Sequence, residues 1–416
     1  DARSFLLWFS GFQGEDGRVP CCVDARGADA VPENDSHGQL LFLVAETVRY
    51  TGDRGLAERM WPRVVAAVSY IDALRQKRRT AEYETPGKRV FYGLLPESIS
   101  HEGYSAKPMH SYWDDAFAIR GLKDAVFLAT YLGKEGQAKE FARIRDELTA
   151  DVHASIRLVM ERHGIDTLPG CAELGDFDAT STTATIAPGG ELARLPREAV
   201  ERTFDRYLAN VAKREAGEGE LYTPYELRTV GTFVRLDRRD DAFRLLGLFL
   251  RDLRPPEWNA WAEVVWRDPR TPKFVGDIPH TWVGTDYARS FLDLFAYERE
   301  DDAALVVAAG LPEAWVRSAQ GVSVKRLGTP YGPLDLSVAA DGSGVRVRLA
   351  GLRNVPPGGL VLKPPIPPGP VSATVDGRPL PLSPGGEVVV RSLPAEVVVF
   401  PGAPSAAPST PSRRTR

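Results

Sequence analysis

The sequence has little sulfur chemistry to offer. Its three cysteines are Cys21, Cys22 and Cys171, two of them adjacent and the third far off. They make neither a disulfide framework nor a metal-ligand set. Charge is also nearly balanced: the formal net charge is −4 and the pI about 6.0. Arg and Lys alternate with acidic residues instead of forming a basic block, which argues against nucleic acid as a partner. No apolar run is long enough to span a bilayer, so no membrane partner is expected. The chain opens on Asp1 and passes straight into SFLLWFSGFQ. It therefore reads as the C-terminal portion of something longer, and the lack of a leader says nothing of the compartment.

What is present is a 416-residue chain with 43% hydrophobic and 26% charged residues, long enough for one large domain and a smaller one. Apolar residues recur at helical spacing up to about residue 300. The pattern predicts helices over about 37–50, 55–78, 110–132, 135–162, 197–214, 223–236, 239–252 and 280–298, with a further element around Glu263. Residues 165–195 read as irregular. After Glu300 the texture changes to alternating β-branched segments such as GVSVKRL and GVRVRLAG, separated by DGSG and PPGG turns. The expected organisation is a mainly α domain over 1–300, a small antiparallel β-sandwich over 301–402 and a disordered Pro/Ser/Ala-rich tail over 403–416. Antiparallel helix pairs with long loops at one end suggest an (α/α)6 toroid whose rim loops build a concave site.

Four segments would line that rim. The densest is Pro255 to Tyr287, where Trp258, Trp261, Glu263 and Trp266 fall within nine positions, followed by His280 and Trp282. Aromatic rings cover the apolar faces of sugars, and a carboxylate among them can hold a proton near neutral pH. The plainer reading is a helix with core tryptophans and a solvated Glu. The second segment is PENDSHGQ. Here Asp35 is either a helix N-cap or an acceptor for sugar hydroxyls. The third, LLPESISHEGYSAKPMHSYWDD, gathers Glu97, His101, Glu102, Tyr104, His110, Tyr112, Trp113, Asp114 and Asp115. A solvated loop rarely carries so many aromatic and imidazole groups, although Asp114 and Asp115 also suit a helix start. The fourth, GDFDATSTTATIAP, is rich in hydroxyls that suit turns or a ligand.

Two carboxylates from distant parts of the chain can act across one pocket. In an inverting glycosidase one protonates the leaving oxygen and the other activates water, the two standing roughly 6.5–9.5 Å apart. Glu263 is read as the general base and Glu97 or Glu102 as the general acid. Asp35, His110, Trp113, Asp114, Trp258, Trp261, His280 and Trp282 are read as substrate-binding. The partner expected is an oligosaccharide, polysaccharide or glycoside, with no metal or organic cofactor. An inverting phosphorylase, a lyase using Tyr104 and His110, and a carbohydrate-binding module without turnover stay open beside this reading.

These motifs, in this order, resemble the six-hairpin glycosidases, in particular the glucoamylase-like group, with weaker echoes of sugar phosphorylases and rhamnosidases. PENDSHGQLLFLVAETVRYTGD is similar to the segment in which the group's Asp binds the sugar, which carries that role onto Asp35. LLPESISHEGY with HSYWDDAFAIRGLKDA resembles the general-acid loop and its following helix, but the Trp before the Glu is missing. FDATSTTATIAPGG resembles the segment packed near the site. WAEVVW followed by PHTWVGTDYARSFLDLF resembles the general-base loop, with Ala262 and Val264 in place of the group's Pro and Gln, and carries the base onto Glu263. The resemblance covers about residues 1–300.

Overall fold

Helical spacing, glycine stops and acidic caps set the helices of the first unit. The computed structural model describes residues 1–100, 103–218, 223–265, 277–367 and 371–401. The α-helices of this unit are α1 (Ala2–Phe9), α2 (Ser36–Thr51), α3 (Arg54–Gln76), α4 (Tyr112–Tyr131), α5 (Glu135–His163), α6 (Ala179–Ile186) and α7 (Arg197–Glu215). A two-residue hairpin, β1 (Val23–Asp24) with β2 (Gly27–Ala28), precedes α2. Gly52 in the left-handed conformation ends α2, and the Asp53 carboxylate then caps α3 by accepting from Leu56 N at 2.9 Å. Gly164 ends α5 in the same left-handed way.

The middle of this unit is α4. Fifteen of its 20 residues are buried, and it packs against α2, α3, α5 and α6. A helix buried nearly all round has neighbours on every side. It meets α2 at two glycines: a Cβ on Gly38 would lie 2.0 Å from the Phe117 carbonyl oxygen, and one on Gly121 would lie 2.6 Å from Gly38 Cα. Below that crossing, fully buried Asp124 takes Arg49 at 2.5 Å and Arg120 at 2.8 Å.

The α6 segment corrects the irregular reading of residues 165–195. Asp178 caps the helix through Ser181 N at 2.9 Å, while Thr182 and Thr183 hydroxyls bond back to carbonyls of Asp178 and Thr180. The hydroxyls that signalled a loop are spent inside a helix.

In the second unit α8 (Arg228–Arg235), α9 (Arg239–Arg251) and α10 (Thr281–Asp293) precede the strands. Helix α10 is shorter than the spacing suggested. β3 (Ala296–Arg299) starts three residues beyond it and pairs antiparallel with β4 (Ala304–Val307). After the short α11 (Glu313–Val316) come β5 (Val322–Leu327), β6 (Leu334–Asp341), β7 (Gly344–Ala350), β8 (Leu360–Leu362), β9 (Val371–Val375), β10 (Arg378–Leu380), β11 (Val388–Val390) and β12 (Ala395–Pro401). One sheet runs β10-β9-β12-β7-β6-β5, the other β11-β8-β4-β3 with β4 and β8 parallel. Alternate residues of β6 (Leu334, Leu336, Val338) are buried, the pattern of a sheet with one apolar face. The expected fold class, mainly α helix pairs followed by a C-terminal β-sandwich, is the one observed. No helix among the described residues is long and apolar enough to cross a membrane. The tail from Ala403 lies outside the described residues.

Candidate functional site

In the first unit the loop before α4 is pinned by strand-like pairing, not by helix. Ser98 bridges Met109, Ser111 bridges Cys171, and Pro169 bridges Phe177. Tyr112 N donates to the Gly170 carbonyl at 3.1 Å and Ala172 N to that of His110 at 3.0 Å. This zipper brings Glu173 to His110. The Glu173 carboxylate accepts from His110 N at 3.0 Å and lies 2.6 Å from His110 Nδ1. On the other side of the ring Arg78 Nε donates to His110 Nε2 at 2.9 Å, and Arg78 also pairs with Glu97. Phe91 stacks on the imidazole at 4.6 Å.

His110 is therefore buried, with both ring nitrogens engaged. Glu97 is more open. Burial works to raise its carboxyl, but its own backbone N–H, His110 and Arg78 outweigh that and hold it below the ordinary value. A carboxyl held ionised in this way suits charge pairing better than proton donation. His101 and Glu102, the other acid candidate, lie outside the described residues. Tyr104 gives its hydroxyl to Asp176 at 3.0 Å, and burial drives its phenol upward. With Tyr104 and His110 each committed elsewhere, the lyase reading loses its base.

Asp35, Trp113 and Asp114 form one buried group. Asp35 sits at the N-cap of α2 but makes no side-chain cap bond. Its Oδ2 instead accepts from Trp113 Nε1 and Gln39 Nε2, each at 2.8 Å. Asp114 accepts from the Ser98 hydroxyl at 2.5 Å, and its Oδ1 has no hydrogen-bond partner among the described residues. Burial raises both carboxyls, and the Asp35 charge lifts Asp114 further. All three are at most 3% exposed. Trp113 packs with Phe117 as a core ring and Asp35 accepts from its indole.

Asp115 behaves similarly. Its Oδ1 accepts from Leu95 N at 3.0 Å, its Oδ2 is unpartnered among the described residues, and burial pushes the carboxyl up to about 8. An unfolded Asp titrates near about 3.9. The raised folded value means stability is full below that point and falls as pH rises toward the folded value. Asp115→Asn keeps the Leu95 contact and removes the charge. Its Tm should match the parent near pH 4 and exceed it increasingly up to about pH 8. Scanning calorimetry across that window checks it, and a constant difference would contradict it.

In the second unit residues 255–263 carry a short 3-10 turn and otherwise irregular backbone, not an α-helix. Cis Pro255 leads a short 3-10 turn, Pro256–Trp258, and Asn259 then takes a left-handed φ of 48°. Trp261 anchors the loop: its Nε1 donates to the Phe249 carbonyl on α9 at 3.0 Å, and its ring lies 4.7 Å from Tyr287 on α10. It is 6% exposed. Trp258 is 62% exposed and Trp282 37% exposed. Trp266 lies outside the described residues.

Backbone bonds join the residues around Glu263 to those just before α10. Glu263 N donates to the Asp277 carbonyl, and His280 N to that of Trp261, both at 3.0 Å. His280 Nδ1 lies 3.2 Å from Asp277 Oδ2. One ligand atom from each of Glu263, Asp277 and His280 falls within 4.8 Å of the others. Two carboxylates and an imidazole at this spacing could hold a divalent cation, or orient a water. One turn into α10, Asp286 accepts from Arg228 at 2.7 Å. Burial raises its carboxyl and Arg228 opposes the rise. The Arg228 guanidinium also lies 5.9 Å from the Trp282 ring.

Sequence reasoning had named Glu263 and His280 but missed Asp277, Arg78 and Glu173. Asp277 stands three residues before His280, a spacing that a local scan could have caught. Arg78 and Glu173 meet His110 only through tertiary pairing.

No family model matches the chain, and no curated protein matches it. Solved structures do. The α-L-rhamnosidase from Dictyoglumus thermophilum aligns with 95% of this chain at 12% identity and a TM-score of 0.56. The GH78 family rhamnosidase of Bacillus sp. GL1 aligns with 88% at 14% identity and 0.55. The α-L-rhamnosidase from Aspergillus terreus aligns with 96% at 15% identity and 0.54. The chain spans 43%, 36% and 43% of those proteins, less than half of each. The shared fold is that of rhamnosidases, which the sequence echoed only weakly, and the glucoamylase-like label is supported loosely.

Proposed function

We propose that this chain is a glycoside hydrolase that inverts configuration, with α-L-rhamnosides the first substrate class to offer it. The observation carrying this reading is a fold shared with rhamnosidases over nearly the whole chain at TM-scores above 0.5. Glu263 acts as general base. Its carboxylate, with Asp277 and His280 within 4.8 Å, activates a water for attack on the anomeric carbon. Trp258 and Trp282 offer ring faces to the sugar. For the general acid, Glu97 is held ionised by its partners, which favours Glu102 as the proton donor.

The test is release of nitrophenol from a panel of aryl glycosides, α-L-rhamnoside included, by the purified chain. Saturable release is the expected result. Sugar binding by calorimetry without release would favour the carbohydrate-binding module, a reading to which the Arg78–Glu97 pair lends some weight. Neither binding nor release would overturn both.

A further inference from the structure

The adjacent thiols of Cys21 and Cys22 belong to no part of the site above. They lie between Pro20 and the β1–β2 hairpin, and Asp29 N donates to the Cys22 carbonyl at 3.0 Å, fixing the backbone around them. Both side chains turn the same way, with the sulfur atoms 2.9 Å apart. Cys22 is exposed and Cys21 half-buried, whereas Cys171 is fully buried elsewhere.

We propose that Cys21 and Cys22 are a redox-active vicinal dithiol, which small-molecule disulfides close to an intrachain disulfide. Adjacent Cα atoms stand about 3.8 Å apart across a trans peptide, closer than the usual disulfide span of about 4.4–6.8 Å. A bridge between sequence neighbours is therefore easily reduced again, the property of labile and regulatory disulfides rather than structural ones.

The order of events follows from the surroundings. Burial, the hydrogen bond with Cys22 and the Glu33 charge all push the Cys21 thiol upward. The exposed Cys22 thiolate therefore attacks first. It cleaves the external S–S bond, and one external thiolate leaves and takes up a proton. Cys21 then gives its proton to solvent and attacks the Cys22 sulfur of the mixed disulfide, expelling the second external thiol. Two protein thiols and one external disulfide become one protein disulfide and two external thiols.

The test uses the full chain, reduced, desalted and incubated with oxidised glutathione, then treated with N-ethylmaleimide and read by intact and peptide mass. The expected product is lighter by two hydrogens, carries no label on the peptide containing Cys21 and Cys22, and regains two labels after dithiothreitol. Cys21→Ser should instead keep one glutathione on Cys22. A stable glutathione adduct on the parent chain, full labelling after incubation, or a dimer bridged through Cys22 would each overturn the proposal. Buried Cys171 is the internal control, and none of these readouts depends on glycosidase activity.

Discussion

Glu263→Gln should lower kcat for glycoside hydrolysis by about 10²- to 10⁴-fold, the span typical of a lost general base, with KM little changed. The amide is nearly isosteric with the carboxylate, so the loop and its Glu263 N–Asp277 O bond should persist. What disappears is the group that takes the proton from water. Asp277→Asn tests the neighbourhood separately. Asp277 lies 3.2 Å from His280 and acts through it as a positioning residue. The loss should be smaller and should come with a changed pH profile. Equal activity of Glu263→Gln and parent would remove Glu263 from the mechanism.

The second large effect concerns stability. Gly38→Ala should destabilise the first unit by at least about 3 kcal/mol, above the common range for overpacking. The added methyl would sit 2.0 Å from the Phe117 carbonyl oxygen and 2.3 Å from its carbon. These are backbone atoms of α4, so no side-chain rotation relieves the clash. The helices must separate, and Gly121 on the facing turn would lose its contact with Gly38. Gly136→Ala on α5 is the control. Nothing lies within 4 Å of its added Cβ, so helix propensity alone should leave it neutral or slightly stabilising. Urea unfolding of the two variants separates the outcomes, and similar midpoints would refute a close α2–α4 crossing.

Much of the fold was legible in the sequence because it rests on local signals. The periodicity over 55–78, 135–162 and 239–252 matches α3, α5 and α9 to within two residues. Caps and stops such as Asp53, Gly52 and Gly164 act within one turn of where they stand. Helix α6 was hidden because its Ser and Thr residues, followed by Pro188 and two glycines, look like a loop. Only the back-bonding of their hydroxyls makes them helical.

The candidate site was legible in composition but not in direction. The sequence shows that Trp113 and Trp261 stand near carboxylates, yet whether a ring faces solvent depends on distant partners. Asp35 lies 78 positions from Trp113 and turns it inward. The Phe249 carbonyl does the same for Trp261. Glu97 likewise reads as a free acid until Arg78, just beyond α3, reaches across to it. Glu263 and His280, by contrast, are joined through local backbone bonds to Asp277 and Trp261, so their proximity needs no distant partner.

Proton NMR of the first sugar released from an aryl glycoside, recorded before mutarotation, reads the chemistry most directly. Single displacement by water with Glu263 as base predicts an anomer opposite in configuration to the substrate, formed by the parent chain and suppressed in Glu263→Gln. Release of the anomer that retains the substrate's configuration would contradict an inverting mechanism and the role given to Glu263.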